Sequence, residues 1–290
     1  MIFNESDLKK LFVPQANSHK GDNGKVMIIG GSQLFHAASL WPLEIASKIV
    51  DMVFYSSVPD NNALVKKVKE EWRNGIVVPR EKIDDYITEA DAVLIGPGLP
   101  RKSGLEPGDD DTKELTERLL KKYPEKKWVI DGGSLQTIDP NLIPKNAILT
   151  PHHQEFEKLF GNVIASESEA IFPDGIATVA DRSLAMTQYI AKKYHCVILL
   201  KGEEDIICSD TQCVKVRGGN AGMTKGGTGD VLAGLTAALY SQNDDAYLVA
   251  QIASYINKKA GDSLFKKVGY YFNATDLVQE IPVVMKQLLL

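Results

Sequence analysis

Cysteine is scarce in this chain: 290 residues carry only Cys196, Cys208 and Cys213. An odd count without a Cys-x-x-Cys pair argues against a disulfide framework and against a zinc site. Cys196 and Cys208 fall in apolar, strand-like runs and read as buried fillers; the expected compartment is a reducing cytoplasm. Positive charge is also short. With 33 Lys and Arg against 38 Asp and Glu, the formal net charge is −5, so nothing points to nucleic acid or an anionic membrane as partner. No apolar run approaches the roughly 18 residues of a membrane span. The opening Met1-Ile2-Phe3-Asn4-Glu5-Ser6-Asp7 lacks the basic head and apolar middle of a secretory leader. There is no internal repeat and no low-complexity tract.

What remains is an ordinary globular composition, 44% hydrophobic and 24% charged, in a chain long enough to bury a large core. Residues 1–18 read as an N-terminal arm with a short helix from Glu5 to Leu11. After the polar loop His19–Gly24, strands are expected at Lys25–Ile29, Met52–Tyr55, Ile76–Val78, Ala92–Ile95, Trp128–Ile130, Ala147–Thr150 and Cys196–Leu200. Helical spacing falls between them at His36–Val50, Ala63–Trp72, Ile83–Glu89, Thr112–Tyr123 with Asp111 as its cap, His153–Phe160 and Ile176–Tyr194. Residues 162–175 read as irregular. Asp205–Cys208 and Gln212–Val216 read as an antiparallel hairpin, and Ala246–Phe265 and Ala274–Leu290 as closing helices. Alternating strands and helices predict a single α/β domain over 1–290, a three-layer fold with a mostly parallel sheet covered on both faces. Ligands of such sheets bind at the carboxyl ends of the strands. The loops after Gly30, Gly96, Asp131, Thr150 and Lys201 leave from those ends.

The stretch Gly218–Asp230 holds six glycines in its first twelve residues and runs directly into an apolar helix pattern from Val231. Glycines that allow close backbone approach, set at a helix N-terminus, make a phosphate site. The stretch is neither a P-loop, since the Gly-Lys-Ser/Thr ending is missing, nor a dinucleotide fingerprint, since it lies late and follows a hairpin. Asp230 either caps the helix or takes a proton from a group beside the phosphate. Lys201, after a buried strand, is either a phosphate ligand or a surface lysine in a turn. His152 is a possible ligand contact, and Glu155 caps the helix or faces a magnesium-bound water. The adjacent His152 and His153 point in different directions, which argues against a paired metal site. Gly96-Pro97-Gly98 is either a close-approach loop or a plain turn, and Asp131 either faces a metal or substrate or caps a turn.

Taken together these motifs resemble the ADP/ATP-dependent NAD(P)H-hydrate dehydratases of the ribokinase-like superfamily. The matching pieces are His19-Lys20-Gly21-Asp22-Asn23-Gly24 with Gly30-Gly31-Ser32, Ile95–Leu99, Leu149-Thr150-Pro151-His152 with Glu155-Phe156, Leu200-Lys201-Gly202, and Gly219–Met223 through Gly226–Leu232. The resemblance implies dehydration of the S-epimer of hydrated NADH or NADPH, using ADP or ATP with Mg2+, through phosphorylation of the ring hydroxyl and loss of phosphate. It implies Asp230 as base, Gly226, Gly227 and Gly229 as anion hole, and Lys201, Gly202, Glu203, Glu204, Asp205 and Gly229 around the adenine nucleotide. Ala38, Gly98, His152 and Asp230 would line the hydrate pocket, with Asn220 and Glu155 shaping the phosphate and metal region; no residue is singled out as a direct metal ligand. A homo-oligomer, such as a tetramer, in the cytoplasm and without a fused epimerase domain is the matching expectation. The sequence departs from the family pattern at Phe35-His36-Ala37, Gly132-Gly133, His153-Gln154 and Glu203-Glu204. Two rivals stand beside this reading: a ribokinase-like kinase for a hydroxymethylpyrimidine or thiazole alcohol, and a nucleotide-binding protein without catalysis.

Overall fold

Short runs of β-branched and aliphatic residues build the centre of the molecule. A computed structural model describes residues 1–68, 74–101, 104–167, 171 and 179–290. Its strands are β1 (Lys25–Ile29), β2 (Met52–Ser56), β3 (Ile76–Val77), β4 (Ala92–Ile95), β5 (Lys127–Ile130), β6 (Ile148–Leu149), β7 (Val197–Leu200), β8 (Asp205–Cys208) and β9 (Cys213–Val216). They form one sheet in the order β3-β2-β1-β4-β5-β6-β7-β8-β9. Pairing is parallel from β3 through β7, and the β8–β9 hairpin adds antiparallel strands at one edge. The N-terminal arm joins that edge through a bridge between Ile2 and Lys215.

Strand side chains alternate between two cores, as a period of two requires. Val26, Ile28, Val53, Tyr55, Leu94, Val129 and Ile148 face one way. There they meet helices α1 (Ala37–Ala46), α8 (Thr228–Gln242), α9 (Ala246–Val268) and α10 (Ala274–Leu289). Met27, Ile29, Phe54, Val93, Ile95, Trp128 and Ile130 face the other way, towards α3 (Ile83–Glu89), α4 (Thr112–Lys122), α6 (His153–Ser166) and α7 (Val179–Tyr194). Among the described residues the remaining α-helices are α2 (Pro59–Val68) and the single turn α5 (Gly132–Leu135).

The expected elements are present with shifted ends. Asp111 caps α4 as expected, accepting from the Glu114 N–H at 2.9 Å. The helix expected to stop at Phe160 continues to Ser166, because Val163 and Ile164 keep its apolar face on the core; the segment expected to be irregular from 162 is therefore helical at first. The end of the helix expected at Ala63–Trp72 and the start of the one expected at Ile176 lie outside the described residues. The cysteine reading needs correction. Cys196 is buried as expected, and burial pushes its thiol up to about 12. Cys208 is buried too, but it forms a disulfide with Cys213 rather than standing free. The hairpin makes these two register partners, and strand pairing, which a cysteine count does not reveal, sets them face to face. The expectation of a reducing compartment loses that support. Among the described residues, no helix is long and apolar enough to cross a membrane.

The loop His19–Gly24 lies at the amino ends of the strands, away from the carboxyl rim. Its Gly21 and Asn23 N–H groups donate to Asp51 at 2.7 and 3.1 Å, so it fixes the entry to β1.

The glycine stretch is placed by the contact between α1 and α8. At Gly234 the two helices come so close that an added Cβ would lie 2.5 Å from Pro42 Cα and 2.8 Å from Ile45 Cγ2. Overpacking of this kind costs about 1–3 kcal/mol. Gly234→Val is therefore expected to lower the urea midpoint with an unchanged slope. An unchanged midpoint would show that the helices have room to separate.

Candidate active site

Helix α8 opens at Gly227, whose φ of +96° places the N-cap in the left-handed region. Glycine adopts this conformation without the steric cost a side chain brings, and an added Cβ would overlap the Trp41 ring. The first hydrogen bond of the helix runs from the Val231 N–H to the Gly227 carbonyl at 3.0 Å. The N–H groups of Gly229 and Asp230 lie ahead of it, at the open positive end of the helix. The loop before it is pinned from several sides. Thr228 Oγ1 donates to the Met223 and Lys225 carbonyls at 2.6 and 3.0 Å, and Lys225 Nζ donates to the Phe272 carbonyl at 2.6 Å. Asn220 Nδ2 donates to the Gly261 carbonyl at 2.9 Å. Asp230 is the third residue of the helix, and the N-cap has no side-chain hydrogen bond. The Asp230 carboxylate makes no cap hydrogen bond, which corrects the capping alternative left open by the sequence.

Two cavities flank this helix start. One, of about 450 Å³, is walled by Lys201, Gly202, Glu203 and Asp205, the stretch Gly218–Ala221, and Asn257 and Lys258 from α9. The other, of about 600 Å³, is walled by Leu34–Ala38, Trp41, Gly98, Asp131, His152, Glu155, Lys225–Gly227 and Asp230. Lys201 and Gly229 line both. The second cavity brings together Ala38, Gly98, His152 and Asp230, the four residues expected around one ligand, with Glu155 beside them. Pro42, inside α1, has no N–H to close onto the Ala38 carbonyl four residues earlier, and that acceptor loses its helical partner at the cavity wall.

The junction is electrostatically crowded. Lys201 Nζ donates to Asp131 Oδ1 at 3.0 Å and lies 4.0 Å from Glu155 Oε2. Thr150 Oγ1 donates to the same Asp131 oxygen at 2.8 Å. Burial pulls the Lys201 ammonium down, but Asp131, Glu155 and Asp230 outweigh it, and the net direction is up. Burial pushes the Asp230 carboxyl up to about 8; Asp131 and Glu155 add to the rise and Lys201 opposes it. A carboxyl so placed changes charge near neutral pH.

His152 is both a cavity residue and a helix cap. The Glu155 N–H donates to His152 Nδ1 at 3.2 Å, and the His152 N–H donates to Glu155 Oε2 at 3.0 Å. Since Nδ1 accepts, the ring proton of the neutral imidazole is on Nε2. Asp131, left open between two roles by the sequence, makes no cap hydrogen bond and instead anchors Lys201. Glu204 leaves the expected set: its carboxylate pairs with Arg217 and lies 3.9 Å from Lys215 Nζ, and it does not line either cavity. Asp205 lines the first cavity, with both carboxylate oxygens engaged by protein donors, Oδ1 by the Gly202 N–H at 2.9 Å and Oδ2 by Ser254 Oγ at 2.7 Å. Among the described residues no group of three His, Cys, Asp or Glu side chains could hold a metal ion. Trp41, Lys225, Asn257 and Lys258 escaped the sequence reading. A lysine at 258, next to the buried run Val249–Asn257 of α9, was the available signal.

The raised Asp230 carboxyl has a consequence for stability. Its folded value of about 8 lies above the ordinary 3.8, so between those values the folded state holds the extra proton. Stability is then lost as pH rises through the folded value. Asp230→Asn is expected to melt higher than the parent, by a margin that grows from about pH 4 to about pH 8 and then levels off. A margin independent of pH, measured by calorimetry, would contradict the raised carboxyl.

Comparison with known proteins places this geometry in a family. The family model described as NAD(P)H-hydrate dehydratase matches residues 26–283. The bifunctional NAD(P)H-hydrate repair enzyme of Methanocaldococcus jannaschii is 37% identical over 290 residues, covering 97% of this chain and 52% of that protein. The chain thus spans about half the length of the first curated relatives it matches. The ADP-dependent (S)-NAD(P)H-hydrate dehydratase of Nitrosopumilus maritimus is 32% identical, covering 96% of this chain and 95% of that protein. Among solved structures, the ADP/ATP-dependent NAD(P)H-hydrate dehydratase of Bacillus subtilis co-crystallised with ATP and Mg2+ has the same fold. It superposes with a TM-score of 0.74 at 19% identity, covering 99% of this chain and 98% of that one. A ribokinase of Thermotoga maritima superposes with a TM-score of 0.50 at 10% identity, covering 91% of this chain and 99% of that one. A match running from β1 into the last helix, over the helix start and both cavities, makes this chain a member of the NAD(P)H-hydrate dehydratase family, on the ribokinase-like fold that the sequence led one to expect.

Proposed function

We propose that this protein dehydrates the S-epimer of NADH or NADPH hydrate at the expense of ADP or ATP. The observation that carries the reading is the meeting of two cavities at Lys201 and Gly229, with Asp230 on the wall of the larger. The adenine nucleotide occupies the cavity walled by Gly202, Glu203 and Gly218–Ala221, and the hydrated nicotinamide occupies the cavity walled by Ala38, Gly98 and His152. Asp230 takes the proton of the ring hydroxyl. The hydroxyl oxygen bonds to the terminal phosphorus as the bond from that phosphorus to the nucleotide's bridging oxygen breaks. The main-chain N–H groups of Gly226, Gly227 and Gly229, the helix end and Lys201 stabilise the charge on the phosphoryl oxygens. The ring C–O bond then breaks with its electron pair going to phosphate, and loss of a proton from the neighbouring carbon restores the double bond. A hydroxyl is a poor leaving group and phosphate a good one, which is why a dehydration needs a nucleotide at all.

Magnesium fits this donor set indirectly. The oxygens of Asp131 and Glu155 are hydrogen-bonded to Thr150, Lys201, Gln136 and His152, which suits them to hold the waters of an ion whose direct ligands are nucleotide phosphates. Bound there, it would offset phosphoryl charge. The reading carries with it a cytoplasmic homo-oligomer, which size-exclusion chromatography with light scattering tests. A thiazole or pyrimidine kinase would use the same base and helix end. The family match, and a larger cavity of about 600 Å³ in reach of a nicotinamide nucleotide, favour the dehydratase.

The test is incubation of purified protein with NADH hydrate and ADP or ATP, followed at the absorbance of reduced nicotinamide. Recovered absorbance is expected; phosphorylation of a vitamin-precursor alcohol without it would favour the kinase. Asp230→Asn is expected to bind nucleotide normally and to lose about two to four orders of magnitude in kcat. Because the base must be ionised, kcat/KM for the hydrate is expected to rise with pH and level off above about 8. A profile flat across that range would remove Asp230 from the role.

A further inference from the structure

Lys258 is a buried cation that the chemistry above does not use. It is 6% exposed, on α9, in the wall of the nucleotide cavity. Its ammonium donates to the Gly202 carbonyl at 3.1 Å and the Glu203 carbonyl at 3.0 Å, and lies 3.3 Å from Asp205 Oδ1. That accounts for its three donors. Asp205 Oδ1 in turn accepts the Gly202 N–H at 2.9 Å, and Ser254, one turn before Lys258 on the same helix, holds Oδ2 at 2.7 Å. The 202–205 loop is therefore clamped to α9 through both of its polar faces.

The clamp fixes direction as well as position. Every peptide bond here is trans, so a peptide's N–H points opposite to its C=O. With the Gly202 and Glu203 carbonyls turned onto Lys258, the N–H groups of Glu203 and Glu204 point away from it. No protein acceptor takes either among the described residues. Free of the clamp, a glycine-bearing loop would sample other orientations of these two peptide planes.

We infer that Lys258 is a positioning residue for the adenine nucleotide: by holding the Gly202 carbonyl it presents the N–H of Glu203, a residue of the cavity wall, as a donor to the bound nucleotide. The inference rests on the nucleotide reading of this cavity. Preorganised donors raise affinity because the loop is not ordered anew on binding. Lys258 acts on the nucleotide and leaves the hydrate cavity, on the far side of Lys201 and Gly229, untouched.

Lys258→Met keeps the length and apolar stem and removes the donors. Calorimetric titration with ADP is expected to show affinity about tenfold weaker or worse. The KM for nucleotide should rise in step, while the KM for NADH hydrate stays within about twofold of the parent. Lys258→Arg, which retains donors for the two carbonyls, is expected to recover part of the loss. Should Lys258→Met fail to fold, Ser254→Ala releases Asp205 without touching the cavity and is expected to weaken ADP by a smaller factor, about twofold to fivefold. Unchanged ADP affinity in whichever variant folds, or an equal rise in both KM values, would overturn the inference and leave the dehydratase reading standing. A parent protein that does not bind ADP would overturn both.

Discussion

One largely enclosed ammonium sets the terms for the whole rim of the sheet. Lys201 sits where β7 ends, with Asp131 from the end of β5 at 3.0 Å, Glu155 from the first turn of α6 at 4.0 Å, and Asp230 from the first turn of α8 close enough to act on it. Charges taken out of water are costly unless paired and hydrogen-bonded. Here three carboxylates share one cation, so the set carries an excess of negative charge that protonation of Asp230 or an incoming cation relieves. The strands, the helix starts and both cavities are arranged around that imbalance.

The same geometry explains why one carboxyl keeps its proton. Asp131 is hydrogen-bonded by Thr150 and Lys201, and Glu155 by the His152 N–H and Gln136. Asp230 has the helix end behind it, yet it is buried beside two better-paired carboxylates, and its proton is held to about pH 8. Carboxyls whose surroundings push them apart take different chemical parts. The paired ones organise the lysine, and the unpaired one faces the cavity with a proton to exchange.

Much of this was legible in the residues. Strand runs of period two and glycine-ended turns gave the layers, and the glycine density before Val231 gave the helix N-terminus with Asp230 in its first turn. The motifs carried Gly98, His152 and Lys201 to one rim, since parallel strands end on the same side. The hairpin at 205–216 was legible too, but not that it joins Cys208 to Cys213. A cysteine count is silent about register, and a bond between strands depends on register alone. Glu204 looked like its neighbours in the loop, and only the twist of that loop turned its side chain out to Arg217.

From the sequence by itself follow the alternation of elements, the sheet that alternation requires, the loop that can approach a phosphate, and the family its motifs resemble. These are local properties: period, propensity and short spacings survive in one dimension. The tertiary structure decided what depends on distance between remote segments. Lys201 and Asp131 are 70 residues apart, and Lys258 and Gly202 are 56. Nothing in either segment alone distinguishes a solvated lysine from a buried one. Only the packing around those amines, by excluding water, turned one into the hub of three carboxylates and the other into the clamp on the 202–205 loop.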